Sequence, residues 1–223
     1  MKQPTTVPRI TTLQKLVVNH KHIFFRDHVN HLSKWVRRMT AQSHLEHLEL
    51  AMDDLEYFRG PYANYGGLVE HISYRHGRTI RVLRLTHGYI DSATITLLCQ
   101  KCPNLEDISL GVNADTLVRV TSNEPFLPDL TRSPPQREFP QKAASLSKLR
   151  RVAFRVCNIK AFRVAKIFTD ELATDFFETL KGANLRYLTV NSIDWEVSVD
   201  SPEYITRVTR GRPRFSIGEV GHR

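Results

Sequence analysis

The stretch Leu149-Arg150-Arg151-Val152-Ala153-Phe154-Arg155-Val156-Cys157-Asn158-Ile159 decides how this chain is read. Val152 and Phe154 stand two apart, so in an extended chain both point to the same face. Leu149 lies three residues earlier, where the chain would enter the strand. Arg151, Ala153 and Arg155 fall between the apolar positions and point the other way. The same spacing recurs as Leu13-Leu16-Val18, Leu45-Leu48-Leu50, Ile80-Leu83-Leu85, Leu105-Ile108-Leu110 and Leu185-Leu188-Val190. One such strand cannot bury its apolar face alone, whereas a stack of them buries a continuous core.

Several copies extend into L-x-x-L-x-L-x-x-N/C-x-L, the pattern of a leucine-rich repeat. The copy at Leu149 fits throughout, with Cys157 at the Asn/Cys position. The copy at Leu105 reaches Asn113 one residue late, and those at Leu45 and Ile80 close with Leu55 and Ile90. An Asn or Cys there can hydrogen-bond backbone groups left open where the chain turns out of the strand.

First positions are spaced by 32, 35, 25, 44 and 36 residues. Leucine-rich repeats usually run ~20–29 residues, so these longer units call for a full helix plus loop behind each strand. Helical spacing supplies the helices. Val29, Leu32, Val36 and Met39 follow Asp27, a candidate N-cap. Leu68 and Ile72 share a face ahead of Gly77, a candidate C-cap. Asp91-Ser92 opens a helix carrying Ile95, Leu98 and Cys102 and ending at Pro103. Thr169 or Asp170 opens another, carrying Leu172, Phe176 and Leu180 and closed by Gly182. The longest gap holds Pro125, Pro128, Pro134, Pro135 and Pro140. Proline removes backbone donors and blocks helices, so residues 119–143, approximately, read as an irregular insertion, either a plain surface loop or a binding loop.

The expected fold class is therefore α/β. It is a leucine-rich-repeat solenoid, a horseshoe arc with parallel strands on the concave side and helices on the convex side. Residues 1–12 form a lead-in, 13–200 the repeat domain, and 201–223 a basic C-terminal hairpin or tail. In that tail Ile205 and Val208, then Phe215 and Ile217, give two alternating segments around Arg210-Gly211-Arg212-Pro213-Arg214.

A chain of 223 residues is long enough for one sizeable core. Its 41% hydrophobic and 25% charged residues are ordinary for a globular protein. No apolar run approaches the ~18 residues of a membrane span, and no signal-peptide pattern follows Met1. Three cysteines make no disulfide framework and fit a reducing compartment. The expectation is an intracellular protein, cytoplasmic or nuclear, without membrane contact. The formal charge of +9 favours acidic partners.

Catalytic chemistry finds little support. His44-Leu45-Glu46 and Cys99-Gln100-Lys101-Cys102 share elements with a zinc-deaminase signature, but that needs P-C-x-x-C and here the proline follows the second cysteine. His20, His22, His28 and His31 are crowded without completing a ligand set. No Walker loop, dinucleotide fingerprint, H-E-x-x-H or G-x-S-x-G occurs. No enzyme activity, cofactor or metal is expected. Arg210-Gly211-Arg212-Pro213 has the spelling of an AT-hook core, in which Arg-Gly-Arg enters a narrow A·T minor groove. Arg210, Arg212 and Arg214 are thus candidate nucleic-acid residues, and a nucleic-acid-associated protein is the alternative reading.

Lys101-Cys102-Pro103-Asn104-Leu105-Glu106-Asp107-Ile108-Ser109-Leu110 resembles the repeat junction of F-box/leucine-rich-repeat proteins. Leu45-Glu46-His47-Leu48-Glu49-Leu50 and Ser147-Lys148-Leu149-Arg150-Arg151-Val152 resemble the fungal-type members, and the resemblance runs from Leu13 to Trp195. It implies the substrate-recognition half of a ubiquitin-ligase receptor, whose repeats hold a protein substrate. Only twelve residues precede Leu13, so a Skp1-type adaptor is expected only with an F-box upstream.

A partner would meet the strand residues between the apolar positions. These include Glu46, His47 and Glu49, Arg81 and Arg84, Glu106 and Asp107, Arg150, Arg151, Ala153 and Arg155, then Arg186 and Tyr187. The charge alternates from repeat to repeat instead of forming one basic stripe, which favours a protein partner over a duplex. Arginine and tyrosine are frequent interface anchors. Arg81, Arg84, Arg150, Arg151, Arg155, Arg186 and Tyr187 are therefore the candidate partner-binding residues.

Overall fold

The computed structural model describes residues 11–20, 26–52, 63–113, 117, 138–157, 168–191, 193–197 and 206–209. In chain order the elements are β1 (Lys15–His20), α1 (Arg26–Thr40), β2 (His47–Met52), β3 (Ala63–Asn64), α2 (Gly66–His76), β4 (Val82–Ile90) and α3 (Ser92–Lys101). There follow β5 (Asp107–Val112), α4 (Glu138–Ala143), β6 (Arg151–Val156), α5 (Asp170–Thr179), β7 (Tyr187–Val190), β8 (Ile193–Val197) and β9 (Thr206–Thr209). The last two apolar members of each of the six trios lie on one strand.

The strands form one open nine-stranded sheet in the order β1-β2-β4-β5-β6-β7-β8-β9, with the two-residue β3 paired to the end of β4. All pairs from β1 to β7 are parallel. β8 then runs antiparallel to β7, and β9 antiparallel to β8. The molecule is thus a mixed α/β protein with a parallel-dominated sheet. Parallel neighbours cannot be joined by a tight turn, and α1, α2, α3, α4 and α5 lie in the connections between them. Among the described residues no helix is long and apolar enough to cross a membrane.

Repeat positions stand in register. Leu48, Leu83, Ile108, Val152 and Leu188 are lateral neighbours, and so are Leu50, Leu85, Leu110, Phe154 and Val190. All ten are buried, together with the preceding Leu45, Ile80, Leu105, Leu149 and Leu185. Val36, Leu68, Ile72, Ile95, Leu98 and Phe176 from the helices join them in one core. A fully buried Leu or Phe contributes ~1.5–3 kcal/mol, so these two rows are the main cohesive feature of the sheet. At the open edge the corresponding Leu16 and Val18 are only partly buried.

Helix boundaries differ from the sequence expectation in three places. α1 begins at Arg26, which puts Asp27 inside the first turn and not at the cap. Gly77 is the C-cap of α2, as expected, but keeps a right-handed φ of −55°; a side chain there would strike the Ser73 and Lys101 carbonyls, so close approach explains this glycine. Gly182 does not close α5. It lies in a 3-10 turn, Lys181–Ala183, and the left-handed residue is Asn184 at φ 58°. The end of the proline-rich insertion is helical, because α4 carries Pro140 in its first turn, where the missing N–H costs little. Phe139 and Ala143 of α4 are buried in the core, with Phe139 edge-on to Phe154 at 4.7 Å.

Two helices open where expected, with Asp91 as one cap and, of the two residues offered for the other, Thr169 as its cap. The Thr94 N–H donates to Asp91 Oδ1 at 2.8 Å, and the Leu172 N–H reaches Thr169 Oγ1 at 3.4 Å. In the tail, β9 pairs with β8; the segment 215–220 lies outside the described residues.

Candidate protein-interaction face

With the helices on one face of the sheet, alternation leaves the other face to the intervening residues. Register builds two rows across it. One row runs Lys15, His47, Val82, Asp107, Arg151, Tyr187 and Glu196. The next runs Val17, Glu49, Arg84, Ser109, Ala153, Thr189 and Asp194. A third line lies where the strands begin. There each N–H donates to the carbonyl of the previous repeat, from Glu46 to Gln14, Arg81 to Glu46, Glu106 to Arg81, Arg150 to Glu106 and Arg186 to Arg150. Equivalent repeat positions are thereby held side by side, about 4.8 Å apart.

The β2–β5 half of this face satisfies its own charge. Arg84 donates to Glu49 Oε2 at 3.2 Å on one side and to Asp107 Oδ2 at 2.6 Å on the other. One guanidinium thus ties three strands together. His47 Nε2 lies 3.3 Å from the same Glu49 oxygen. The His47 hydrogen bond, helped by the Arg84 charge and opposed by burial, holds the Glu49 carboxyl below its ordinary range. Arg81 pairs with Glu106 at 2.8 Å along the strand starts.

The β6–β7 half differs. Arg150 and Arg186 are exposed, and among the described residues neither makes an ion pair. Arg151 lies over the Tyr187 ring, 5.6 Å from its centroid, and Tyr187 is 40% exposed. Beyond Tyr187, Glu196 is exposed, while Asp194 accepts a hydrogen bond from Thr189 Oγ1 at 2.7 Å.

Of the seven sequence candidates, four lie at neighbouring strand starts: Arg150 and Arg186 immediately precede β6 and β7, and Arg151 and Tyr187 open them. Arg81, just before β4, and Arg84, on it, are committed to acidic neighbours. Arg155 is half-buried near the far end of β6, opposite Gly111. Arg210, Arg212 and Arg214 lie outside the described residues, as do His22 and the end of the Leu45 copy.

Two features escaped the sequence reading. Asn191, with φ 55°, accepts a hydrogen bond from the Val156 N–H at 2.8 Å and donates its own N–H to the Phe154 carbonyl at 2.8 Å. It adds to the backbone-satisfying work expected of Cys157, whose thiol donates to the Arg155 carbonyl at 3.4 Å. An Asn directly after the Leu185 copy was the available signal. The second is His76, a histidine buried in α2.

Cys99 and Cys102 are buried, and burial pushes their thiols up to about 12 and about 11. Among the described residues no group of three or more His, Cys, Asp or Glu is placed to hold a metal ion. In comparisons with known proteins, no protein-family model matches the chain and no curated protein matches it.

Proposed function

We propose that this chain is a leucine-rich-repeat interaction module that does no chemistry of its own. Its uncovered sheet face holds a protein partner, as the substrate-recognition repeats of an F-box receptor do. The observation that carries this reading is the register: sequence-consecutive strands lie side by side in parallel, so equivalent repeat positions line up in rows on the face opposite the helices. Repeat solenoids use such a surface to bind extended partners. The exposed arginines and Tyr187 among these rows are the residue types that most often anchor interfaces.

Photo-crosslinking with the whole chain tests the proposal. A photoreactive residue replacing Tyr187 should capture one discrete protein, and the same residue replacing Tyr74, 65% exposed on α2, should not. Capture from the Tyr74 site alone, or from neither, would overturn it. Recovery of a Skp1-type adaptor would add the ligase connection. Nuclease-sensitive association abolished by Arg210→Ala with Arg212→Ala would favour the nucleic-acid alternative instead.

A further inference from the structure

We infer that the corner made by Arg150, Arg151, Arg186 and Tyr187 docks a short acidic segment of a partner polypeptide. The inference rests on the reading of the uncovered face as an interaction face, and names what the partner presents there. Its basis is an asymmetry in how the face uses its charge. In the β2–β5 half, Arg81 and Arg84 are neutralised by Glu106, Glu49 and Asp107 within the fold. In the β6–β7 half, Arg150 and Arg186 extend from neighbouring strand starts without an ion-pair partner among the described residues.

The four side chains make a two-by-two arrangement. Arg150 and Arg186 immediately precede β6 and β7, Arg151 and Tyr187 are the first residues of those strands, and the Arg186 and Tyr187 N–H groups both donate to the Arg150 carbonyl. Adjacent strands are about 4.8 Å apart, so the guanidinium groups can reach one or two carboxylates together. Arginine suits the role because its planar fork meets a carboxylate with two parallel hydrogen bonds. Stacking against Tyr187 gives Arg151 a preferred position before any ligand arrives. Tyr187 adds an exposed ring that can take an apolar side chain beside the acidic one.

The surroundings select a short acidic segment over a nucleic acid. Glu106 and Asp107 stand on the β5 side of the corner, and Glu196 stands on the β8 side. A duplex carries one negative charge per ~1.7 Å of its axis, so a polyanion crossing the strands would leave the basic corner and meet these carboxylates within one strand spacing. A few acidic residues within an otherwise neutral polypeptide fit between them.

Fluorescence anisotropy of the whole chain tests this, with a short labelled peptide of alternating Glu and Ser as the probe. Binding should saturate with Kd on the order of 10 μM at low salt, and a Gln-for-Glu peptide should not bind. Arg150→Glu with Arg186→Glu should weaken binding at least about tenfold, as should the neutral pair Arg150→Gln with Arg186→Gln to a smaller degree. Lys34→Glu with Arg38→Glu, the same charge change on exposed α1 surface, should leave binding unchanged. Circular dichroism should be identical for all variants.

No saturable binding, an equal loss with Lys34→Glu and Arg38→Glu together, or tighter binding of a single-stranded oligonucleotide of matched charge would each overturn the inference. If crosslinking from position 187 still captures a discrete protein while the acidic peptide fails, the acidic-segment inference falls alone. If crosslinking fails as well, the reading of the face falls with it.

Discussion

A methyl group at Gly111 would run into the Gly88 carbonyl oxygen, and it would also lie 3.2 Å from Cys157 Sγ. Register shifts between Leu85 and Tyr89 of β4, and this irregular backbone brings the Gly88 carbonyl against β5. Because the obstacle is backbone, Gly111→Ala should cost about 2–3 kcal/mol. Urea unfolding should show a lower midpoint with an unchanged slope. Gly182→Ala is the counterpart: nothing lies within 4 Å of its added carbon, and its backbone is helical. It should be neutral or stabilise by up to about 1 kcal/mol. His76 supplies a second residue-scale prediction. Burial, then the charges of His71, Arg75 and His44, push its imidazole down to about 4 from 6.5. The folded state therefore keeps His76 neutral while the unfolded chain takes up a proton near pH 6.5. Stability from this group should be constant above pH 6.5 and fall as the pH drops toward 4, by roughly 3 kcal/mol at most. His76→Leu should flatten urea midpoints over that window; an unchanged slope would remove His76 as the cause.

At the scale of elements, Arg84 and Arg81 make a controlled comparison. Both pair with acidic residues of a neighbouring strand, but the Arg84 side chain is 27% exposed and that of Arg81 is 53% exposed. Removing Arg84 leaves Glu49 and Asp107 half-buried without their cation, and Asp107 Oδ1 already lacks a hydrogen bond. Arg84→Ala should therefore destabilise by about 2–3 kcal/mol. Arg81→Ala, broken in solvent, should cost under about 1 kcal/mol. Thermal melts of both variants check the ranking, and equal losses would contradict it. The three-strand bridge was not readable from the chain. Glu49 and Arg84 occupy equivalent repeat positions, which hints at a pair, but Asp107 reaches Arg84 diagonally from the other row. Only the register makes that contact. Helix ends show the same division. Asp91 and Thr169 cap by a contact three residues away, so their type and position sufficed. Gly77 and Gly111 answer to carbonyls of neighbouring segments, Lys101 and Gly88, which no local pattern reveals.

For the whole molecule, a sheet of stacked parallel units distributes its cohesion between neighbours. Among the described residues β1 has one strand partner and a partly buried apolar row, whereas β5 lies between two partners over a fully buried row. Hydrogen exchange should follow this gradient: β1 amides should exchange by local opening well before those of β5 and β6, whose protection should approach the global limit. Equal protection of β1 and β5 would mean that the edge is covered. At the other end β7 is closed differently, by the antiparallel β8. There the buried Trp195 donates its indole N–H to Asp170 Oδ1 at the start of α5, at 3.0 Å. That reversal in direction was unforeseen, because a parallel repeat predicts its own continuation and contains no signal for its stop.

By itself the sequence determined the parallel strand units, the helices in most of the gaps and the residues turned away from the core. Those properties rest on period, capping and side-chain polarity, which act over a few residues. The tertiary structure decided which of the outward charges are consumed inside the fold and which remain. Arg81 occupies the same position ahead of its strand as Arg150 and Arg186 do. Their difference arises because β5 brings Glu106 and Asp107 alongside β4, whereas β7 brings another arginine and a tyrosine alongside β6. Which charges meet is set by strand order and register, and these exist only once the apolar rows have closed.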